Sequence, residues 1–407
     1  MMEKLRKKTF EEILYYLSRH IIGRKASRQI SWAFYKLCRN LPLRDDIIIF
    51  RTEGDFCDNG RALYEYMMTQ TDKKRTFVWI VKEPSLYAKR ANTIFISPDK
   101  GFRLKYFYYL AIAKNIIETH NLTQIDIRPG QNYICLWHGM VMKKPKAPST
   151  DYPKKPLFNY LLNSSVNTVH NQARFFGIDE SRVVSLGFPR NDTLIKSKAP
   201  GTENQFLEGR RYNKVIIWMP TFRASINSML SETSIDTETG LPLIKDISSL
   251  LSISHFCQSS NILLIIKIHH LQATKAVFKM HFDNIRFIQD EELWSKDIQL
   301  YDMMAKTDAM ITDYSSVFID YLLLDKPMGF IATDFEQYEQ SRGVPFDNFI
   351  EMLPGQLIYT INDFKDFIMN VLENQDPYKN KRDDLLPKVH DYIDGRSCER
   401  IKNYFNL

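Results

Sequence analysis

Residues 312–321 read Thr-Asp-Tyr-Ser-Ser-Val-Phe-Ile-Asp-Tyr, between the short apolar run Ala309-Met310-Ile311 and a helix-like run ending near Leu324. The order is strand, hydroxyl-rich tight turn, helix start. The first backbone N–H groups of a helix have no partner inside it, and the helix dipole favours an anion beside them. Ser315 and Ser316 add two hydroxyls at the same place, so the stretch builds a phosphate seat without a glycine-rich loop. Helix capping explains one serine. It does not explain Asp313 beside the turn or Asp320 within the next two turns.

Other polar clusters also follow strand-like runs. Trp137-His138-Gly139 places an imidazole, the side chain that most easily takes a proton near neutral pH, where the backbone is tight. A lone histidine at a strand end is more often structural or solvated; Gly139 and the basic Lys143 and Lys144 tilt the reading toward function. Gly187 to Asp192 and Pro220 to Arg223 follow strands in the same way. Lys267 and His269 share one face of a strand by alternation. With Arg190 and Arg223 they could surround a pyrophosphate, each bond to an ionised group contributing about 1.5–3 kcal/mol. The plain alternative is salt bridges to nearby acids, and for Arg190, close to Asp192, the two readings weigh equally. Arg342-Gly343 and Asp347, after Asp334-Phe335-Glu336, read either as an ordered loop near the same cleft or as a turn with a surface ion pair.

The chain has no Asp-x-Asp, no P-loop, no Gly-x-Gly-x-x-Gly and no Gly-x-Ser-x-Gly. A metal-dependent nucleotide-sugar site of the Asp-x-Asp kind is not expected, nor is any other cofactor. The charge on a leaving phosphate then falls to side chains and a helix N-terminus. Five cysteines, Cys38, Cys57, Cys135, Cys257 and Cys398, are scattered with no Cys-x-x-Cys pair, which fits a reducing cytoplasm and argues against a zinc site.

These clusters need a scaffold that gathers strand ends. Strand-like and helix-like runs alternate along the 407 residues, which predicts parallel sheets with crossover helices in two domains. Strands are expected at 46–51, 76–81, 93–97, 115–119, 133–136, 166–169 and 183–186. A second series follows at 215–219, 262–268, 285–288, 309–312 and 328–331. The expected division is a first unit over 45–196, a polar linker at 197–213 and a second unit over 214–407 that includes a helical tail. Ligands of such sheets bind beyond the carboxyl ends of the strands, where the polar clusters fall.

The net charge of +7 is concentrated: residues 1–44 hold eleven Lys or Arg against three Glu, a net of +8, leaving −1 for the rest. The near-neutral body argues against a nucleic-acid partner. Phe10, Ile13, Leu14, Leu17 and Ile21 recur at helical spacing among bases, and Ile30, Phe34 and Leu37 continue the pattern. Basic amphipathic helices of this kind suit an anionic membrane surface; a helix packed on the body with a solvated basic face is the alternative. No apolar run is long enough to cross a bilayer, and no secretory signal is evident.

Taken in order, Trp-His-Gly at 137, Gly-Phe-Pro-Arg-Asn-Asp at 187, Pro-Thr-Phe-Arg at 220, Lys-Ile-His at 267, the serine motif at 312 and Asp-Phe-Glu-Gln-Tyr with Arg-Gly after 334 resemble the CDP-glycerol glycerophosphotransferase family, the teichoic acid primases and polymerases and related capsule enzymes. The resemblance spans about residues 115–360. It implies an α/β, GT-B-like fold: two Rossmann-like doubly wound domains facing a cleft, with N-terminal amphipathic helices. It implies CDP-glycerol, or another CDP-polyol, as donor, a lipid-linked saccharide as acceptor, and a peripheral place on the cytoplasmic face of the membrane. By motif, His138 would be the general base or a pyrophosphate ligand, and Lys267 and His269 would contact the pyrophosphate. Gly139, Arg190, Thr221 and Arg223 would line the donor cleft. Ser315, Ser316 and Asp320, with Asp313 beside them, would hold the phosphates and nucleotide. The chain departs from the family's pattern at His270, where proline is usual, and at Met140-Val141-Met142, where the usual residues are Thr-Pro-Leu.

Overall fold

The computed structural model describes residues 24–99, 103–120, 122, 123, 126–142, 158–197, 209–221, 237–268, 276–344 and 348–407. Two all-parallel sheets carry the chain. In the first unit the strands are β1 (Arg44–Arg51), β2 (Thr76–Ile80), β3 (Thr93–Ile96), β4 (Ala113–Glu118), β5 (Asn132–Cys135), β6 (Tyr160–Asn163) and β7 (Val183–Ser185), in the order β3-β2-β1-β4-β5-β6-β7. Its helices are α1 (Arg24–Cys38), α2 (Asp58–Met68), α3 (Leu104–Ile112), α4 (Val169–Phe176) and α5 (Pro189–Lys196). The second unit holds β8 (Lys214–Trp218), β9 (Ile262–Lys267), β10 (Ile285–Ile288), β11 (Ala309–Thr312), β12 (Met328–Ile331) and β13 (Gln356–Ile358), in the order β10-β9-β8-β11-β12-β13. Its helices are α6 (Ile247–Ser259), α7 (Asp290–Ser295), α8 (Leu300–Ala305), α9 (Val317–Tyr321), α10 (Phe335–Arg342), α11 (Phe349–Met352), α12 (Ile361–Leu372), α13 (Lys379–Val389) and α14 (Ser397–Phe405).

Each sheet repeats the doubly wound order, with its switch point between the first and fourth strands: β1 and β4 in one unit, β8 and β11 in the other. The central strands are continuous apolar runs, Ile-Ile-Ile-Phe in β1 and Val-Ile-Ile-Trp in β8, because helices cover both faces. Strand ends at the switch points are the places where such sheets leave room for a ligand.

The structure departs from the sequence-based expectation in three places. Residues 166–168 form a 3-10 turn leading into α4, not a strand: Ser165 accepts the Asn167 N–H and starts the helix, and the strand lies earlier, at β6. The edge strand β13 was not anticipated; three residues carry too little pattern. The tail does not stay with the second unit. Asp192 at the end of the first unit accepts the N–H groups of Ser397 (2.7 Å) and Cys398 (2.8 Å) at the start of α14. Cys398, Ile401, Phe405 and Leu407 then pack with Phe50, Leu136 and Leu162 of the first sheet. Of the expected linker, residues 198–208 lie outside the described residues, as do residues 1–23.

Candidate active site

On the first face of the cleft, β5 runs out through Leu136 and the backbone then turns sharply: Trp137 has φ +52 and Gly139 φ +110. A positive φ at a residue as bulky as tryptophan is strained and persists only where surrounding contacts impose it. They do. Asn59 Nδ2 donates to the Trp137 carbonyl at 2.8 Å, and Arg190 Nη2 donates to the His138 carbonyl at 2.7 Å. The half-buried His138 ring lies 4.1 Å from Trp137 and stacks on His120 at 4.6 Å with an 18° tilt. His120 Nε2 is 2.9 Å from Glu53 Oε2, and its Nδ1 is 3.1 Å from the Thr119 hydroxyl. Behind His120 the fully buried Glu118 carboxylate accepts N–H groups of Leu122 (2.9 Å) and Thr123 (3.0 Å), the Tyr133 hydroxyl (2.5 Å) and the Thr123 hydroxyl. Burial raises the Glu118 pKa against the pull of Arg51 and these bonds. Glu118 thus fixes the loop that presents His120.

The second face is built of hydroxyls and main chain. Asp313, fully buried, accepts the Thr221 N–H at 2.9 Å and the Thr221 hydroxyl, and the Thr312 hydroxyl donates to the Met219 carbonyl at 2.8 Å. The ends of β8 and β11 are therefore tied together at their switch point. Tyr314 turns inward, 4.4 Å from Tyr338, with its hydroxyl 3.1 Å from Asp334. Ser315 and Ser316 stay half-exposed; the Val317 N–H reaches the Ser315 hydroxyl at a long 3.4 Å, and the Ser316 side chain makes no capping bond to α9. Lys267 pairs with Asp290 at 2.9 Å, the salt-bridge alternative that its residue type allowed. Arg223 and His269 lie outside the described residues.

Arg190 joins the two faces. Its Nη1 lies 2.9 Å from Asp58 Oδ1 and its Nη2 2.7 Å from Asp320 Oδ2, while the guanidinium sits 4.6 Å over the Tyr301 ring. The Tyr301 hydroxyl donates to the same Asp320 oxygen at 2.6 Å, and Asn59 Oδ1 accepts the Arg190 N–H at 3.1 Å. The side chains are 10% exposed for Arg190 and 1% for Asp320. Burial alone would lower the guanidinium pKa; Asp58, Tyr301 and Asp320 more than reverse it and hold Arg190 charged. Arg190 and Asp320 were expected to reach the donor. In the structure they are enclosed with each other, because a buried charge needs a partner of opposite sign. A Cβ on Gly139 would lie 2.7 Å from Arg190 Nη2, 3.6 Å from Asp320 Oδ2 and 3.8 Å from Ser316 Oγ, so the His138 loop nearly touches the start of α9.

The fold thus gathers His138, Gly139, Arg190, Thr221, Asp313, Ser315, Ser316 and Asp320 around one cleft, with Lys267 at the end of β9. It adds four residues that sequence reasoning passed over: Glu53 and His120 at the first switch point, and Asp58 and Tyr301 around Arg190. Glu53, Asp58 and His120 follow strands just as the recognised clusters do, and that position was the available signal. Nothing near Tyr301 marked it out. Among the described residues, no group of three or more His, Cys, Asp or Glu side chains is placed to hold a metal ion.

Compared with known proteins, residues 33–406 match the model of the CDP-Glycerol:Poly(glycerophosphate) glycerophosphotransferase family. The teichoic acid poly(glycerol phosphate) polymerase of Staphylococcus epidermidis is 24% identical over 87% of this chain, which spans 49% of that polymerase's length. The teichoic acid ribitol-phosphate primase of Bacillus spizizenii is 25% identical over 92% of this chain and 94% of its own length. The solved structure of the wall teichoic acid polymerase TagF superposes with a TM-score of 0.75 at 18% identity, over 100% of this chain and 97% of that one, and establishes the GT-B-like fold of two Rossmann-like units. The chain belongs to the CDP-glycerol:poly(glycerophosphate) glycerophosphotransferase family.

Proposed function

We propose that the chain transfers glycerol phosphate from CDP-glycerol to a hydroxyl of a lipid-linked saccharide or polyol-phosphate chain, releasing CMP. The acceptor oxygen attacks the phosphorus that bears the glycerol. The bond from that phosphorus to the bridging oxygen of the diphosphate breaks, and CMP leaves. His138 takes the proton of the attacking hydroxyl, a transfer that contributes about 10²- to 10⁴-fold in rate. Ser315, Ser316, Thr221 and the backbone N–H end of α9 meet the charge of the phosphates. His269 and Arg223 take the diphosphate contacts that the family motif assigns, while Lys267 is held at the end of β9 by its pairing with Asp290.

The observation that supports this reading is the near-contact between the loop that carries His138, after the first sheet, and Ser316, after the second. The test is CMP release from CDP-glycerol by the wild-type chain, compared with His138→Ala. Rapid release by the variant would overturn the assignment. Transfer of ribitol phosphate is the second reading, favoured by the ribitol-phosphate primase among the relatives. A panel of CDP-polyols with lipid-linked acceptors, read by product mass, separates the two.

The same proposal places the chain peripherally on an anionic membrane surface at the cytoplasmic face. Helix α1 turns Ser27, Ser31, Tyr35 and Cys38 inward and leaves Ile30, Trp32 and Leu37 exposed, with Leu41 just beyond its end. Exposed Lys25, Arg28 and Lys36 share its outer side. Ile30 and Leu37 on one flank, Trp32 on the other and bases on the outer side suit the headgroup region of anionic lipid. Among the described residues no helix is long and apolar enough to cross a bilayer. Leu37→Glu is expected to reduce sedimentation with anionic liposomes without changing CMP release in solution; unchanged sedimentation would reject the lipid-facing role.

A further inference from the structure

We propose that Asp58, Arg190, Asp320 and Tyr301 form a latch across the cleft, and that Arg190 and Asp320 act as positioning residues rather than as ligands of the donor. The inference rests on the reading of His138 as proton acceptor and of the α9 start as phosphate seat. It adds what sets the distance between them.

One guanidinium meets three acceptors from three elements: the Asp58 carboxylate at the start of α2, the backbone carbonyl of His138 after β5, and the Asp320 carboxylate in α9. The first two belong to one unit and the third to the other. Tyr301 of α8, also in the second unit, closes the base of the cluster with its ring under Arg190 and its hydroxyl on Asp320. The backbone of the proton acceptor is thereby bonded, through one side chain, to the short helix that opens with Ser315 and Ser316. The path has little slack. Gly139 leaves no room for even a Cβ against the guanidinium, and both charged side chains are at least nine-tenths buried.

Other polar contacts cross between the units on the same side: Arg61 to Asp297 (2.6 Å), Gln299 to Glu65 (3.2 Å) and Ser197 to Asp302 (2.5 Å). Of their carboxylates, Asp297 is 69% and Glu65 36% exposed, open to screening by water and salt. The Arg190 cluster is the one shielded from solvent, where charge pairing is strongest and geometry is held most tightly. Arg190 Nη1 and Nη2 and Asp320 Oδ2 are all engaged within the cluster. On this view the spacing of the reacting groups is built into the protein and does not wait for substrate to pull two lobes together.

The test uses the full chain, with Asp320→Asn and, as a milder change that keeps the ring under the guanidinium, Tyr301→Phe. Three quantities are read: CDP affinity by calorimetry, kcat and KM for CMP release, and the distance distribution between spin labels at exposed Leu86 of the first unit and exposed Leu251 of the second. A latch predicts CDP affinity within about threefold of wild type, kcat lowered tenfold or more with KM little changed, and a broadened or lengthened distance distribution. Asp58→Asn combined with Asp320→Asn should then add little to the kcat loss of either alone. Loss of CDP affinity in step with turnover would make Asp320 a donor ligand, and unchanged kcat with an unchanged distribution would make the cluster a passive brace; either result overturns the proposal. Affinity and the distance distribution need no turnover, so they judge the latch even if the wild-type chain releases no CMP from CDP-glycerol, an outcome that would instead sink the proposed reaction.

Discussion

The two faces of the cleft rest on sheets that share the order of their first six strands, the first sheet adding β7 at its edge, yet they hold their polar groups by different means. The first face concentrates its interest in one ring. His138 stacks on His120 and lies against Trp137, its backbone is bent through two positive-φ residues, and its carbonyl is fixed by Arg190. The second face spreads its interest over hydroxyls and backbone N–H groups, with Asp313 and Tyr314 spent on shaping the turn from behind. The contrast matches what each proposed task requires. Moving a proton depends on the direction of a single lone pair. Holding a diphosphate depends on the number of donors around a diffuse charge, and several modest ones suffice.

The strongest way to break this comparison is His138→Ala, expected to lower turnover about 10²- to 10⁴-fold while leaving CDP affinity in place. A parallel loss of binding, seen by calorimetry, would erase the division of labour between the faces. Next comes the double change Ser315→Ala with Ser316→Ala. Losing bonds to an ionised group at about 1.5–3 kcal/mol each should weaken CDP binding by at least about tenfold. Affinity equal to wild type would remove the phosphate seat from the second face.

Gly139→Ala sharpens the comparison where the faces meet. At φ +110, with 2.7 Å to the guanidinium, the added carbon should cost about 1–3 kcal/mol of stability and displace His138. Thermal melts and CMP release measured together would show whether turnover falls beyond what unfolding explains.

The smallest effect concerns the support of α9. His390 is buried behind that helix with its Nε2 2.8 Å from the Ile319 carbonyl. Burial lowers its pKa below 6.5, a shift that the Ile319 bond and nearby Asp320 and Asp391 only partly oppose. A lowered folded pKa favours the folded state above the unfolded value, and that stability is lost as pH falls below about 6.5 toward the folded one. The melting temperature should therefore decline between about pH 7.5 and pH 5, by no more than about 1.4 kcal/mol of stability per pH unit from this group. His390→Gln, which keeps a donor for Ile319, should flatten that part of the decline; an unaltered slope would assign it to other groups.

Much of the fold was legible because its signals are local. Continuous apolar runs bounded by turn residues mark buried parallel strands, and the order of polar clusters after those strands marked where a cleft had to be. The boundaries that failed are the weakly patterned ones, the three-residue β13 and the stretch at 166–168 where Ser165 decides in favour of a helical turn. For α1 the spacing identified a helix but not its orientation. Ile30 and Leu37, placed on its apolar stripe, face outward, while two serines, a tyrosine and a cysteine pack inward.

The sequence by itself determined that this chain forms two α/β units, that polar motifs gather at strand ends, and that two serine hydroxyls stand at a helix start; each follows from residue types within a few positions of one another. Only the tertiary structure decided which charged residues stay open to a ligand and which are consumed by pairing. Arg190 and Asp320 are 130 positions apart, and Arg190 and Asp58 are 132. Whether such groups meet depends on how two sheets are set against each other, and no local pattern encodes the desolvation that forces them together.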